Sequence, residues 1–166
     1  MHPKKQQIIM HYEQSLLWLT YLSNVSETEW RLPIQQGKWS VAEVIGHLIP
    51  WDEFVVNERL PFFFTNNALS KGPNVEQMNT EAARISRTQS KEQTVQAFLK
   101  SRRLLLHALQ GLSDEQWQRS FAIGRSELTL YSYFSGLVEH DQHHFLQIQN
   151  VLNIGDMNGH QYKPND

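Results

Sequence analysis

The sequence contains no cysteine. That excludes a disulfide framework, a cysteine-liganded zinc site and a thiol nucleophile together. Net charge is nearly absent too: Lys+Arg 15 against Asp+Glu 17 leaves a formal −2, with no basic footprint for nucleic acid and no charge excess of the kind that keeps a chain disordered. No apolar run approaches the roughly 20 residues that a membrane-spanning helix requires. The opening stretch MHPKKQQIIMHYEQ starts basic, but its apolar run is only IIM, too short for the core of a secretion signal. These absences make a cytoplasmic protein, with neither nucleic-acid nor membrane partners, the expectation. What is present is 166 residues, 40% of them hydrophobic, enough for one domain over residues 1–166 with its own core.

Between Lys4 and about Asn24, Ile9, Tyr12, Leu16 and Leu19 recur at steps of three or four, the period of an amphipathic helix. RLPIQQGK, residues 31–38, carries Pro33 and Gly37 and reads as a loop. Ser40 and Glu43 then form a capping box, with Trp39 and Val44 spaced as a hydrophobic staple, so a second helix starts there. It continues through VAEVIGHLIPWDEFVVNERL, where Pro50 predicts a kink. PFFFTNNALSKGPN, residues 61–74, mixes breakers with Phe62, Phe63 and Phe64, which must cover either a pocket or a partner subunit.

Residues 75–88 read as a short polar helix, and Ser90 with Gln93 caps a longer one with the inner stripe Val95, Phe98, Arg102, Leu105 and Leu109, closing at Gly111. The last long helix spans about Leu128 to Leu152, with Leu130, Tyr133, Leu137, His140, His144, Ile148 and Val151 in one stripe. No segment alternates clearly enough to be a strand. The expected fold is therefore all-α: a four-helix bundle with a short extra helix between its second and third helices, a core over about residues 5–152 and a tail over 153–166. Ser26 to Trp30 and Ser113 to Trp117 echo one another, either as two independent helix starts or as traces of a duplicated helix pair.

VEHDQHHF, residues 138–145, places three imidazoles on the last helix. At ~100° per residue, His140 and His144 lie ~40° apart in projection and about 6 Å apart along the axis, close enough to reach one ion. His143 lies ~60° from His140 on the other side, with Gly136 and Gln147, so the inward pair is His140 and His144. Two side chains hold an ion weakly, and the second helix supplies a third: His47 sits in the stripe Val44, His47, Trp51, Phe54. A buried imidazole must find a hydrogen-bond or metal partner. His2, His11, His107 and His160 fall in termini or off the inner stripes and read as solvated surface.

Three neutral imidazoles leave the ion its full charge and an open coordination position, the arrangement of a catalytic rather than a structural site. Imidazole suits zinc, nickel or iron, so the cofactor is a divalent ion of open identity. A ferritin-like di-iron site would need Glu-x-x-His on two helices, which does not occur here. His-x-x-x-His with Asp141 inside it is similar to the zinc-protease motif, but aspartate is one methylene short of the glutamate base and there are no strands for a protease sheet.

GKWSVAEVIGHL, residues 37–48, and LVEHDQHHFLQI, residues 137–148, resemble the DinB-like (DinB/YfiT) superfamily of four-helix-bundle metalloenzymes over about residues 5–152. The resemblance implies metal ligands at His47, His140 and His144, no ligand role for His143, and in many members a homodimer. It also implies metal-dependent transfer of a low-molecular-weight thiol, such as bacillithiol or mycothiol, to a small electrophile. On this reading Asp141 and Gln147 orient the imidazoles, and Trp51, Phe54 and the phenylalanines at 62–64 line an apolar pocket. A non-catalytic dimeric metal-binding or stress-response module, and a metal-dependent hydrolase of a small substrate, are the alternatives.

Overall fold

Four long helices form where the apolar periodicity puts them. The structure, a computed structural model, describes residues 2–65, 69 and 71–156. In chain order the elements are α1 (Pro3–Leu22), α2 (Glu27–Trp30), α3 (Val41–Phe54) running on into a π-helical turn (Val55–Arg59), α4 (Val75–Thr88), α5 (Lys91–Gln110), α6 (Asp114–Gln118), β1 (Ser120–Ile123), β2 (Ser126–Thr129) and α7 (Leu130–Leu152). α1, α3, α5 and α7 make the bundle, and α4, the extra helix, packs on α3. None of the described helices is long and apolar enough to cross a membrane. His160 and residues 157–166 of the tail lie outside the described residues.

The helix starts are local chemistry. At Ser40 the backbone N–H donates to Glu43 Oε2 at 2.7 Å while Ser40 Oγ accepts from the Glu43 N–H at 3.3 Å, so two otherwise orphaned donors are satisfied. Ser90 and Gln93 repeat the device at α5. The two echoed segments do so as well: Ser26 caps α2 and Ser113 caps α6, and each single-turn helix fully buries its tryptophan, Trp30 and Trp117. α4 approaches α3 at Gly46, where a Cβ would fall 1.7 Å from Ser86 Oγ and 2.9 Å from Ser86 Cβ, so only glycine fits.

Three expectations are corrected. Residues 120–129 form an antiparallel hairpin, Ser120 opposite Thr129 and Ile123 opposite Ser126, turned at Gly124 with φ 59°. Its sequence signal is faint because each strand has four residues, of which only Phe121 is buried. The buried centre of α7 runs through Tyr131, Phe134, Asp141, Phe145 and Ile148, so Tyr133, Leu137, His140 and His144 flank it rather than lead it. His11 is buried, not solvated, because it meets a charge from α7.

The core is two apolar clusters with a charged layer between them. One gathers Leu19, Trp30, Val44, Phe98 and Phe145; the other gathers Tyr12, Val55, Leu105, Trp117 and Phe134. Where each bundle helix passes from one to the other it contributes a polar side chain: His11 from α1, Asp52 from α3, Arg102 from α5 and Asp141 from α7, all buried. Arg102 Nε donates to Asp52 Oδ2 at 2.7 Å, its Nη1 donates to Asp141 Oδ2, and His11 Nε2 donates to the same oxygen at 3.0 Å. The guanidinium lies between the rings of Tyr12 and Phe98, 4.9 and 4.7 Å from their centroids.

Candidate metal centre

His47 sits one turn and a half into α3, on a face buried from Val41 to Leu48, and the staple residue Trp39 covers it, ring centroids 5.1 Å apart. α7 crosses α3 with His144 half-buried and His140 exposed at the rim. One ring nitrogen from each of His47, His140 and His144 lies within 4.8 Å of the others. His143 remains exposed and outside this cluster, as helical register requires.

Hydrogen bonds on the outer side of two rings fix what they present inward. His47 Nδ1–H donates to the Val44 carbonyl at 2.5 Å, and His144 Nδ1–H donates to Gln147 Oε1 at 2.9 Å. Each ring then aims an Nε2 lone pair at the common space. Burial, reinforced by His144, pushes the His47 imidazole down to about 4, and desolvation lowers His140 and His144 as well. All three are therefore neutral near pH 7, and His144 Nε2 stands 3.2 Å from His140 Nε2. Converging nitrogens of neutral imidazoles, two of the rings held from behind by hydrogen bonds, are a donor set that fits a divalent cation.

Asp141 hydrogen-bonds none of the three rings. Although it follows His140 in the chain, its carboxylate turns to Arg102 and His11, and Gln147 alone of the two proposed partners touches an imidazole of the trio. Burial would raise the Asp141 carboxyl, but Arg102 and the His11 hydrogen bond outweigh it and hold the group well below the usual carboxylate range. Asp52 shares the same guanidinium, and there burial prevails, pushing its carboxyl up to about 7.

Beside the trio opens a cavity of about 470 Å³, walled by Trp51, Phe54, Val55, Tyr133, Leu137 and, at its edge, His140. Trp51 Nε1 is held by Asn79 Oδ1 at 2.8 Å, a link from α3 to α4. Trp51 and Phe54 both line this cavity. The phenylalanines of residues 62–64 do not line the cavity: Phe63 is buried against Phe121 and Tyr133, with centroids 4.2 and 5.1 Å away, so it seals the hairpin side of the core. Phe62 is exposed, and Phe64 lies under the Arg119 guanidinium. Asp52, Arg59 and Asn79, which sequence reasoning passed over, all face the cavity. Their signal was weak, since a charged or amide residue in a helix is by default a solvated one.

The sequence matches the family model for the DinB superfamily over residues 13–148. Comparison with curated proteins returns no match. Among solved structures, YfiT from Bacillus subtilis, described as a probable metal-dependent hydrolase with an unusual four-helix bundle topology, is similar in fold. The TM-score is 0.74 at 18% identity, covering 91% of this chain and 87% of that one.

Proposed function

The chain belongs to the DinB superfamily, and from that premise we propose that it is a divalent-metal-dependent enzyme transferring a low-molecular-weight thiol to a small electrophile. One observation carries the proposal: three neutral imidazoles converge within 4.8 Å at the edge of an apolar cavity. His47, His140 and His144 would hold the ion, which supplies Lewis acidity and lowers the pKa of a thiol or water that reaches it. Zinc, nickel and iron all suit imidazole.

The protein's own residues do the rest. Gln147 and the Val44 carbonyl hold the His144 and His47 rings in the tautomer that coordinates. Trp51, Phe54 and Leu137 exclude water from the electrophile, which strengthens every electrostatic interaction inside. Exposed Leu17 and Tyr21 on α1 and Leu146 on α7 supply apolar material for a homodimer interface.

A hydrolase is the second reading, favoured by the description of YfiT, with which the chain shares its fold. The two separate in one assay. Metal-loaded, tag-free protein is incubated with a generic aryl electrophile and with aryl esters, each with and without a panel of cellular thiols. Thiol consumption above the metal-free control supports transfer; turnover that is indifferent to thiol supports hydrolysis. The absence of bound metal on elemental analysis, and of uptake on titration, would sink both.

A further inference from the structure

Two carboxyl groups share the guanidinium of the charged layer, and they are not held alike. Asp141 meets both Nη groups of Arg102 and takes a further hydrogen bond from His11 Nε2 at 3.0 Å, whereas Asp52 receives the Arg102 Nε–H alone, at 2.7 Å on Oδ2. Asp52 also lies on the lining of the cavity of about 470 Å³ that His140 edges. A buried carboxyl tied at one oxygen, on a wall otherwise rich in hydrocarbon, has an oxygen left to offer a molecule in the cavity.

One cation cannot neutralise both groups, and Asp141, held well below the usual carboxylate range, keeps its charge. Burial raises Asp52 to about 7; Arg102 opposes the rise, while the Asp141 charge and, more weakly, Glu53 add to it. The other ionisable groups on the lining are accounted for: burial keeps the Tyr12 and Tyr133 phenols neutral, His140 is neutral, and Arg59 hydrogen-bonds Tyr133. Neighbouring carboxyls driven apart in this way leave one of them able to accept and to return a proton near neutral pH.

We propose that Asp52 is the proton-transfer residue of the cavity, taking a proton from the incoming thiol or water and returning it to the electrophile. This role rests on the reading of the three histidines as the reaction centre. The S–H or O–H bond breaks as its sulfur or oxygen bonds the attacked carbon, and the proton passes to the Asp52 carboxylate. The bond from that carbon to a leaving oxygen breaks, its electron pair stays on the oxygen, and the proton moves there from Asp52. Asp52 ends as it began, and nothing is oxidised or reduced.

The first test needs no turnover. Infrared spectra of full-length, metal-free protein carrying carbon-13 aspartate should show a carboxyl that titrates near pH 7, and benzyl alcohol should shift its band where toluene does not. The band should vanish in Asp52→Asn and lose its isotope shift in Asp52→Glu, so the assignment survives the failure of either variant to fold. Absence of such a carboxyl, or one indifferent to benzyl alcohol, would overturn the proposal. The second test uses metal-loaded protein with cysteine as the thiol. Styrene oxide needs a proton on its leaving oxygen, whereas chlorodinitrobenzene releases chloride and needs none. Asp52→Asn should lower kcat on the epoxide about 100-fold, and on the chloride at least about tenfold less, with metal uptake unchanged. Equal losses on the two would make Asp52 a support of the fold and reject its role in proton transfer. Turnover unaffected by Asp52→Asn rejects only Asp52; no turnover by the unaltered protein, with the infrared response intact, rejects only the enzymatic reading.

Discussion

His140 Nε2 and His144 Nε2 stand 3.2 Å apart across one turn of α7, while Gln147 accepts the proton on the far side of the His144 ring. Gln147 keeps the His144 proton on Nδ1 and leaves its Nε2 open to a cation, so the geometry ties metal affinity to a residue that need not touch metal. Gln147→Leu should lower metal affinity about 10- to 100-fold, the usual cost of losing a ligand's outer hydrogen bond. Competition with a chromophoric chelator measures it, and an unchanged affinity would refute the role.

The metal-free protein should lose stability in mild acid. His47 has a folded pKa of about 4 against an ordinary value of 6.5, so below 6.5 the unfolded chain takes up a proton that the folded chain refuses. Stability therefore falls as pH drops from 6.5 towards 4, by on the order of 3 kcal/mol from this residue. His140 and His144, also lowered, act in the same direction. Urea unfolding across this window should show a shallower slope in His47→Leu; an identical slope would remove His47 as the cause.

Removing the central cation of the charged layer should be severe. Arg102→Met leaves the buried Asp52 and Asp141 without their shared counter-charge, at a cost of about 3–5 kcal/mol. By contrast, Arg84→Ala breaks an ion pair with Glu81 on the open face of α4 and should leave the unfolding midpoint unchanged. Similar midpoints for the two variants would contradict the assignment of Arg102 to the core.

The contact between α3 and α4 can be tested by a pair of substitutions. Gly46→Ala drives a methyl into Ser86 and should cost about 1–3 kcal/mol. Ser86→Ala removes the nearer atom, Oγ, and should recover part of the loss in the double variant, and Ser86→Gly, which removes Cβ as well, should relieve the remaining overlap. Additive losses in the double variants would show that the clash is relieved elsewhere.

How much of this was legible in the sequence depends on the kind of signal. Capping boxes at Ser40 and Ser90 located two helix starts, because they are chemistry between near neighbours. The stripe from Val95 to Leu109, Arg102 included, was correctly turned inward, and α4 fell on residues 75–88. His47, His140 and His144 were brought together by helical register on two separate helices. The burial of His11, Asp52 and Asp141 was hidden, since each compensates a charge on another helix and looks like surface by itself. The buried face of α7 lies one position from the stripe that holds the histidines, because burial is centred on Asp141, which no hydropathy pattern would choose.

The charged layer between the two apolar clusters has a consequence for assembly. Sliding any bundle helix by one turn, about 5.4 Å, would carry a polar or charged side chain into hydrocarbon and leave its partner stranded. Leucine and phenylalanine contacts alone tolerate such slippage much better. The four polar residues thus serve as an alignment mark that fixes how high α7 stands against α3, and with it whether imidazoles from the two helices meet at a single point.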